Sequence, residues 1–209
     1  ATVHRDAADR LERALAQAKP GFEVLRMVRD LPIDLKHALD DASTVGHDRL
    51  LNAVAAYSRA QQACVVVDLG TAVTVDFVDG EGTFQGGVIA PGLSMMLAAL
   101  HEHTDGLPLL QFEAPDPARG VFGKDTPHAM HLGVETAVVG MVRTALERFA
   151  LDFGAYPQVI ATGGDLGLLQ DEGIVEHFVP DLQLLGIGLC VDKAASGEEV
   201  SGKVCAGIV

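Results

Sequence analysis

Cysteine is scarce in this 209-residue sequence: Cys64, Cys190 and Cys205 stand far apart, without the paired spacing of a metal site. Their odd number also speaks against a disulfide framework, so a reducing, cytoplasmic setting is expected. Basic residues are few as well. Fifteen Lys and Arg face 29 Asp and Glu, a formal net charge of −14 with a pI near 4.8, and no segment gathers cations. That balance excludes the electrostatic footprint of nucleic-acid binding and of attachment to an anionic membrane. No apolar run reaches spanning length, because Asp and Gly interrupt the Val-rich segments, and no signal peptide stands at the start. The first residues, Ala1-Thr2-Val3, lack a methionine, which leaves processing or further upstream residues open.

What is present is apolar. A hydrophobic share of 48% with a mean hydropathy of +0.25 supports a substantial core, in one large domain or two small ones. An anionic ligand would need a locally built site, from backbone amides, helix N-termini and a few placed cations. The stretch from Cys64 to Gly80 suits that need, since it reads as two β-branched strands joined by a tight turn. Asp68 ends the first strand, Gly70 lets the backbone turn, and Thr71 and Thr74 add hydroxyls beside exposed amides. Such a turn can hold a phosphate and a cation; taken alone it reads first as an ordinary acidic hairpin.

The other elements follow from periodicity and punctuation. A helix is expected over Ala8 to Ala18, stopped by Pro20-Gly21, then a strand from Phe22 to Val28, with Ala1-Thr2-Val3 as the tail of an earlier strand. Leu31 to Asp41 reads as a connection with a short helical piece. Gly46-His47-Asp48-Arg49 then opens a helix whose buried stripe is Leu50, Leu51, Val54 and Tyr57. Asp48 could serve simply as its N-cap, whereas Arg49 at the positive end of a helix calls for an anionic partner. Thr83 to Gln85 resumes a strand, and Gly86-Gly87-Val88-Ile89-Ala90-Pro91-Gly92 leads into a helix from Leu93 to His103. His101 and His103 suit a solvated helix end better than a metal site.

Thr104 to Val121 is irregular and Pro-rich, a candidate binding or dimer-contact segment. Thr126 is expected to cap a long helix with Pro127 at its first position, and His128 and His131 read as surface or satisfied core residues. Gln158 to Thr162 is a strand ending in Thr162-Gly163-Gly164-Asp165, which opens a helix through Leu169. A strand from Ile174 to Val179, a helix from Asp181 to Ala194 and a loosely docked tail after Ser196 complete the chain.

Taken together, Gly46-His47-Asp48-Arg49, Asp68-Leu69-Gly70-Thr71-Ala72-Val73-Thr74, Gly86-Gly87-Val88-Ile89-Ala90-Pro91-Gly92, Gly123-Lys124-Asp125-Thr126 and Thr162-Gly163-Gly164 resemble type III pantothenate kinase in order and spacing. The resemblance implies an α/β, ribonuclease-H-like (actin-like ATPase) fold. Residues 1–62 would be the C-terminal part of a first domain, 63–195 a complete second domain and 196–209 a tail. It implies phosphorylation of pantothenate by ATP with Mg2+ and a monovalent cation, K+ or NH4+, in a homodimer.

By motif, Asp48 would be the general base, and Gly46, His47 and Arg49 would line the pantothenate pocket with Thr126. Asp68 would ligate the monovalent cation, Gly70 and Thr71 would hold ATP phosphates, and Gly163 and Gly164 would sit near the adenosine. The family's opening Asp-x-Gly-Asn-Thr phosphate loop has no counterpart in residues 1–62. A catalytically degenerate binding module and another member of the same kinase superfamily are the alternative readings.

Overall fold

Side chains alternate along the Val-rich hairpin between two buried faces, and that alternation organises the molecule. The computed structural model describes residues 5–19, 21 and 24–196. In chain order these form α1 (Arg5–Ala18), β1 (Lys36–His37), α2 (His47–Ala60), β2 (Cys64–Leu69), β3 (Ala72–Val78), β4 (Thr83–Pro91), α3 (Leu93–Glu102), α4 (Thr126–Phe153), β5 (Gln158–Thr162), β6 (His177–Phe178) and α5 (Leu182–Ser196). The six strands make one mixed sheet in the order β1-β4-β3-β2-β5-β6. β2, β3 and β4 pair antiparallel in sequence, while β5 lies parallel to β2 and β6 parallel to β5.

On one face Val65, Val67 and Leu69 of β2 and Val73, Val75 and Phe77 of β3 pack against Leu93 and Leu97 of α3 and Met130, Val134, Val138 and Val142 of α4. On the other, Cys64, Val66, Val78, Phe84 and Ile160 meet Leu50, Leu51, Ala53 and Ala56 of α2 with Leu182 and Cys190 of α5. The two helices of that face touch closely, since a Cβ on Gly186 would overlap the Leu51 backbone. Burial pushes the Cys64 thiol up to about 12, as suits a core residue. No helix among the described residues is long and apolar enough to cross a membrane.

Several expectations are corrected. Val24 to Val28 is not a strand: Val28 adopts φ 69°, and a turn over 26–31 closes on the Arg26 carbonyl, which accepts from Asp30 and Leu31. The short helical piece lies just after Asp41, as a 3-10 turn over Ala42–Thr44, while residues 36–37 pair with β4 instead. The glycine-rich 86–91 segment belongs to β4 itself, because a Cβ on Gly87 would overlap the Val75 carbonyl and Asp76, so glycine is what lets that strand approach β3. Asp125, not Thr126, caps α4: its carboxylate accepts from the His128 N–H at 2.9 Å. His128 is 3% exposed with neither ring nitrogen hydrogen-bonded among the described residues, so within them it is not a satisfied core histidine. Residues 166–169 form a 3-10 turn and the following strand shrinks to His177–Phe178. Ala1-Thr2-Val3, Phe22, Glu23 and the tail after Ser196 lie outside the described residues.

Candidate active site

Polar side chains break the apolar α2-facing surface of the sheet at one end. Asp68 is paired in register with Thr74, and Asp76 with Val66, so all three polar residues follow the parity of Val66 and Val78 and face α2. α2 supplies their partners. Its N-cap is Gly46, which has no side chain to cap with and where a Cβ would run into the Asp48 carboxylate. Asp48, in the first turn, folds its carboxylate onto the Arg49 N–H at 2.9 Å and remains half-buried.

Arg49 finds the anionic partner its position demands in Asp76. Nε donates to both carboxylate oxygens, at 3.1 and 3.0 Å, and Nη2 donates to Oδ1. The side chains are 12% and 2% exposed, and the guanidinium carbon lies 5.8 Å from the Phe84 ring centre. One turn further along α2, Asn52 Nδ2 donates to Asp68 Oδ2 at 2.9 Å, while its own Oδ1 is buried without a partner among the described residues.

Three carboxylates thus share a neighbourhood with a single guanidinium. Burial raises the Asp68 pKa, the Asn52 hydrogen bond opposes it, and the charges of Asp48 and Asp76 push it further up. Asp76 is likewise raised by burial, against the opposing hydrogen bond and charge of Arg49. A carboxyl whose native pKa lies above its unfolded value binds more protons when folded. Its stabilising share therefore exists at acid pH and is lost as pH rises through the native pKa. Ionised Asp68 consequently weakens the fold at neutral pH. Asp68→Asn, which keeps an acceptor for Asn52, is expected to raise Tm at pH 7, with the gap closing toward pH 4. Thermal denaturation across that range checks the sign, and an unchanged or lowered Tm at pH 7 contradicts it.

Among the described residues no three His, Cys, Asp or Glu side chains converge on a point that could hold a metal ion. A divalent ion caged by protein carboxylates therefore has no donor set here. Asp68 Oδ1 makes no hydrogen bond among the described residues, and the cluster carries excess negative charge. That suits a monovalent cation, or a Mg2+ held chiefly through phosphate oxygens.

Beyond Asp68 the turn itself is built backbone on backbone. Gly70 N–H donates to the Ala72 carbonyl at 3.1 Å, and the Thr71 carbonyl accepts from Gly92 at 3.0 Å. A Cβ on Gly92 would overlap the Gly70 and Thr71 carbonyls. Gly163, at φ +105°, sits so close to Leu69 that a Cβ would overlap its backbone, and the Leu69 carbonyl accepts from Asp165 at 3.1 Å. Gly164 faces open space.

The structure thus brings Gly46, Asp48, Arg49 and Asp68 into one acidic corner and seats Gly70, Thr71, Gly163 and Gly164 around the adjoining turn. His47 is the first residue of α2, beside that corner. Thr126 stands apart: it is exposed at the start of α4 and makes no hydrogen bond with any of them among the described residues. Sequence reasoning missed Asn52 and Asp76. Asp76 was detectable as a polar residue of the helix-covered face, because an Asp in a Val-rich strand with the parity of Asp68 must meet whatever covers that face.

A family profile described as type III pantothenate kinase matches residues 1–148. The chain is 42% identical over 153 residues to a type III pantothenate kinase of Acidiphilium cryptum, covering 72% of this chain and 56% of the relative. It is 41% identical over 177 residues to that of Rhodopirellula baltica, covering 82% and 62%. Identity to that of Rhizorhabdus wittichii is 34% over 200 residues, covering 94% and 76%. The chain therefore spans only 56 to 62% of the length of the first two. A crystal structure from Campylobacter jejuni, described as a conserved candidate transcriptional activator of the Baf family, superposes with a TM-score of 0.57 at 21% identity. The match covers 78% of this chain and 71% of that one, and it speaks for the fold alone. On the profile match and these identities, the chain belongs to the type III pantothenate kinase family.

Proposed function

We propose that the protein containing this chain transfers the γ-phosphoryl group of ATP to pantothenate, giving 4'-phosphopantothenate, the first step of coenzyme A biosynthesis. The observation that carries the reading is the placing of a half-buried carboxylate, Asp48, beside Asp68 at the Gly70-Thr71 turn. Family membership makes pantothenate the expected alcohol.

Asp48 accepts the proton of the substrate hydroxyl as oxygen attacks phosphorus, a role that needs hydrogen-bond reach and an ionised carboxylate. Arg49 offers its remaining N–H groups to the pantothenate carboxylate, in a pocket lined also by Gly46 and His47. Thr71 holds phosphate oxygens through its hydroxyl at the turn that Gly70 opens, and Gly163 and Gly164 flank the adenosine. Mg2+ and a K+ or NH4+ ion at Asp68 would supply positive charge against the phosphate oxygens when bound. Positioning and electrostatics, rather than covalent chemistry, dominate such a transfer.

The wider reading is of an actin-like ATPase with ribonuclease-H-like domains. Residues 63–195 form the second domain, residues 1–62 part of the first, and the protein acts as a cytoplasmic homodimer. The mixed α/β sheet with its antiparallel β2-β3-β4 start supports it. Incubating the full-length protein with ATP, Mg2+ and pantothenate is expected to yield 4'-phosphopantothenate, with turnover rising on addition of K+ or NH4+. No product under any cation condition from folded protein would overturn the proposal.

A further inference from the structure

Arg49 cannot offer an incoming anion its usual two-pronged edge, because Nε and Nη2 are both committed to Asp76. Nη1 donates no hydrogen bond among the described residues, so both N–H groups of that nitrogen remain to be used. Asp76 is itself held rigidly. Its side chain is 2% exposed, the Thr74 hydroxyl favours its charged form, and the Gly87 backbone lies so close above it that no Cβ fits between. Phe84, fully buried, lies beside the guanidinium. A guanidinium clamped along one edge and flanked by an aromatic ring has lost the rotamer freedom that an exposed arginine must give up on binding.

We propose that Asp76 is a positioning residue of this site: by clamping the Nε–Nη2 edge of Arg49 it presents Nη1, pre-oriented, to the anionic end of the substrate. The clamp stands on the geometry alone; the identity of that substrate rests on the pantothenate reading above. Asp76 touches no reacting atom and acts through Arg49, so its loss weakens substrate binding rather than the chemical step.

The test is a double-mutant cycle in the full-length protein, with Asp76→Asn chosen because it removes the counter-charge but preserves shape and one acceptor oxygen, where Asp76→Ala would also open a cavity. Asp76→Asn is expected to raise the KM for pantothenate about tenfold, with kcat and the KM for ATP changed by less than about twofold. In an Arg49→Met background the same substitution should leave the pantothenate KM within about twofold, since its route of action is gone. An equal effect in both backgrounds, or a matching loss toward ATP, overturns the proposal.

A second readout needs no substrate. NMR of arginine side chains in the ligand-free protein should show a slowly exchanging Arg49 Nε–H that exchanges at least about tenfold faster in Asp76→Asn. Equal exchange in the two proteins refutes the clamp. Absence of pantothenate turnover by the wild type refutes the functional reading instead, with the exchange measurement still deciding whether Asp76 holds Arg49.

Discussion

Asp48→Asn is expected to lower kcat for pantothenate phosphorylation by about 10²- to 10⁴-fold, the usual contribution of a positioned general base. The substitution is nearly silent for the fold. The one hydrogen bond made by the Asp48 carboxylate among the described residues is from the Arg49 N–H, and an amide oxygen accepts it equally well. Removing the charge forfeits a favourable interaction with the N-terminus of α2, of about 0.3–1 kcal/mol. It also relieves repulsion, since the Asp48 charge raises the pKa of both Asp68 and Asp76. The two effects oppose, so Tm should move by no more than about 4 °C in a chain of this size. The KM for pantothenate should stay near that of the wild type, because Arg49 remains clamped. Undiminished turnover in a folded variant would remove Asp48 from the role of base. A large rise in KM would instead assign it to binding.

Gly163→Ala is the second large effect, and it falls on stability. The residue sits at φ +105°, where a side chain is strained whatever the surroundings, and an added methyl would overlap the N, C and O atoms of Leu69. Relief requires the 163–165 turn to lift from the end of β2, breaking the Asp165 to Leu69 hydrogen bond and unseating the start of the Gly70-Thr71 turn. Strain and displacement together should cost about 3 kcal/mol, a fall in Tm of roughly 6–12 °C. The response of Tm to ATP should weaken in parallel, because the same contact shapes the Gly70-Thr71 turn proposed to hold phosphate. Gly164→Ala is the control. Nothing lies within 4 Å of that position, so its Tm should hold or rise slightly. Equal losses from the two substitutions would contradict the backbone contact.

The hairpin, the long helix from residue 126 and the strand at 158–162 were legible because their signals are local: β-branched runs bounded by glycine, a 3.6-residue apolar period, a Pro near the helix start. Val24 to Val28 carried the same β-branched signal and failed, since among the described residues no strand pairs with it beyond the isolated bridge of Met27 to Leu31. Gly86 and Gly87 lie inside β4. Glycine permits a turn but equally permits close strand approach, and only the position of Asp76 and Val75 decides between the two.

For the site, the sequence by itself determined which groups were available: Asp48 and Arg49 at the start of a helix, Asp68 before a glycine turn, paired glycines after a strand, and a motif order matched by one kinase family. It also determined that Arg49 needed an anion. Only the tertiary structure decided that the anion is Asp76, 27 residues away, and that Asn52 holds Asp68. The physical reason is that helix start and strand parity are encoded in neighbouring residues, whereas the pairing of a helix face with a sheet face depends on hairpin register and on the packing of α2 across β2 and β3. Those are set by burial summed over the whole core, and no short stretch of sequence contains them.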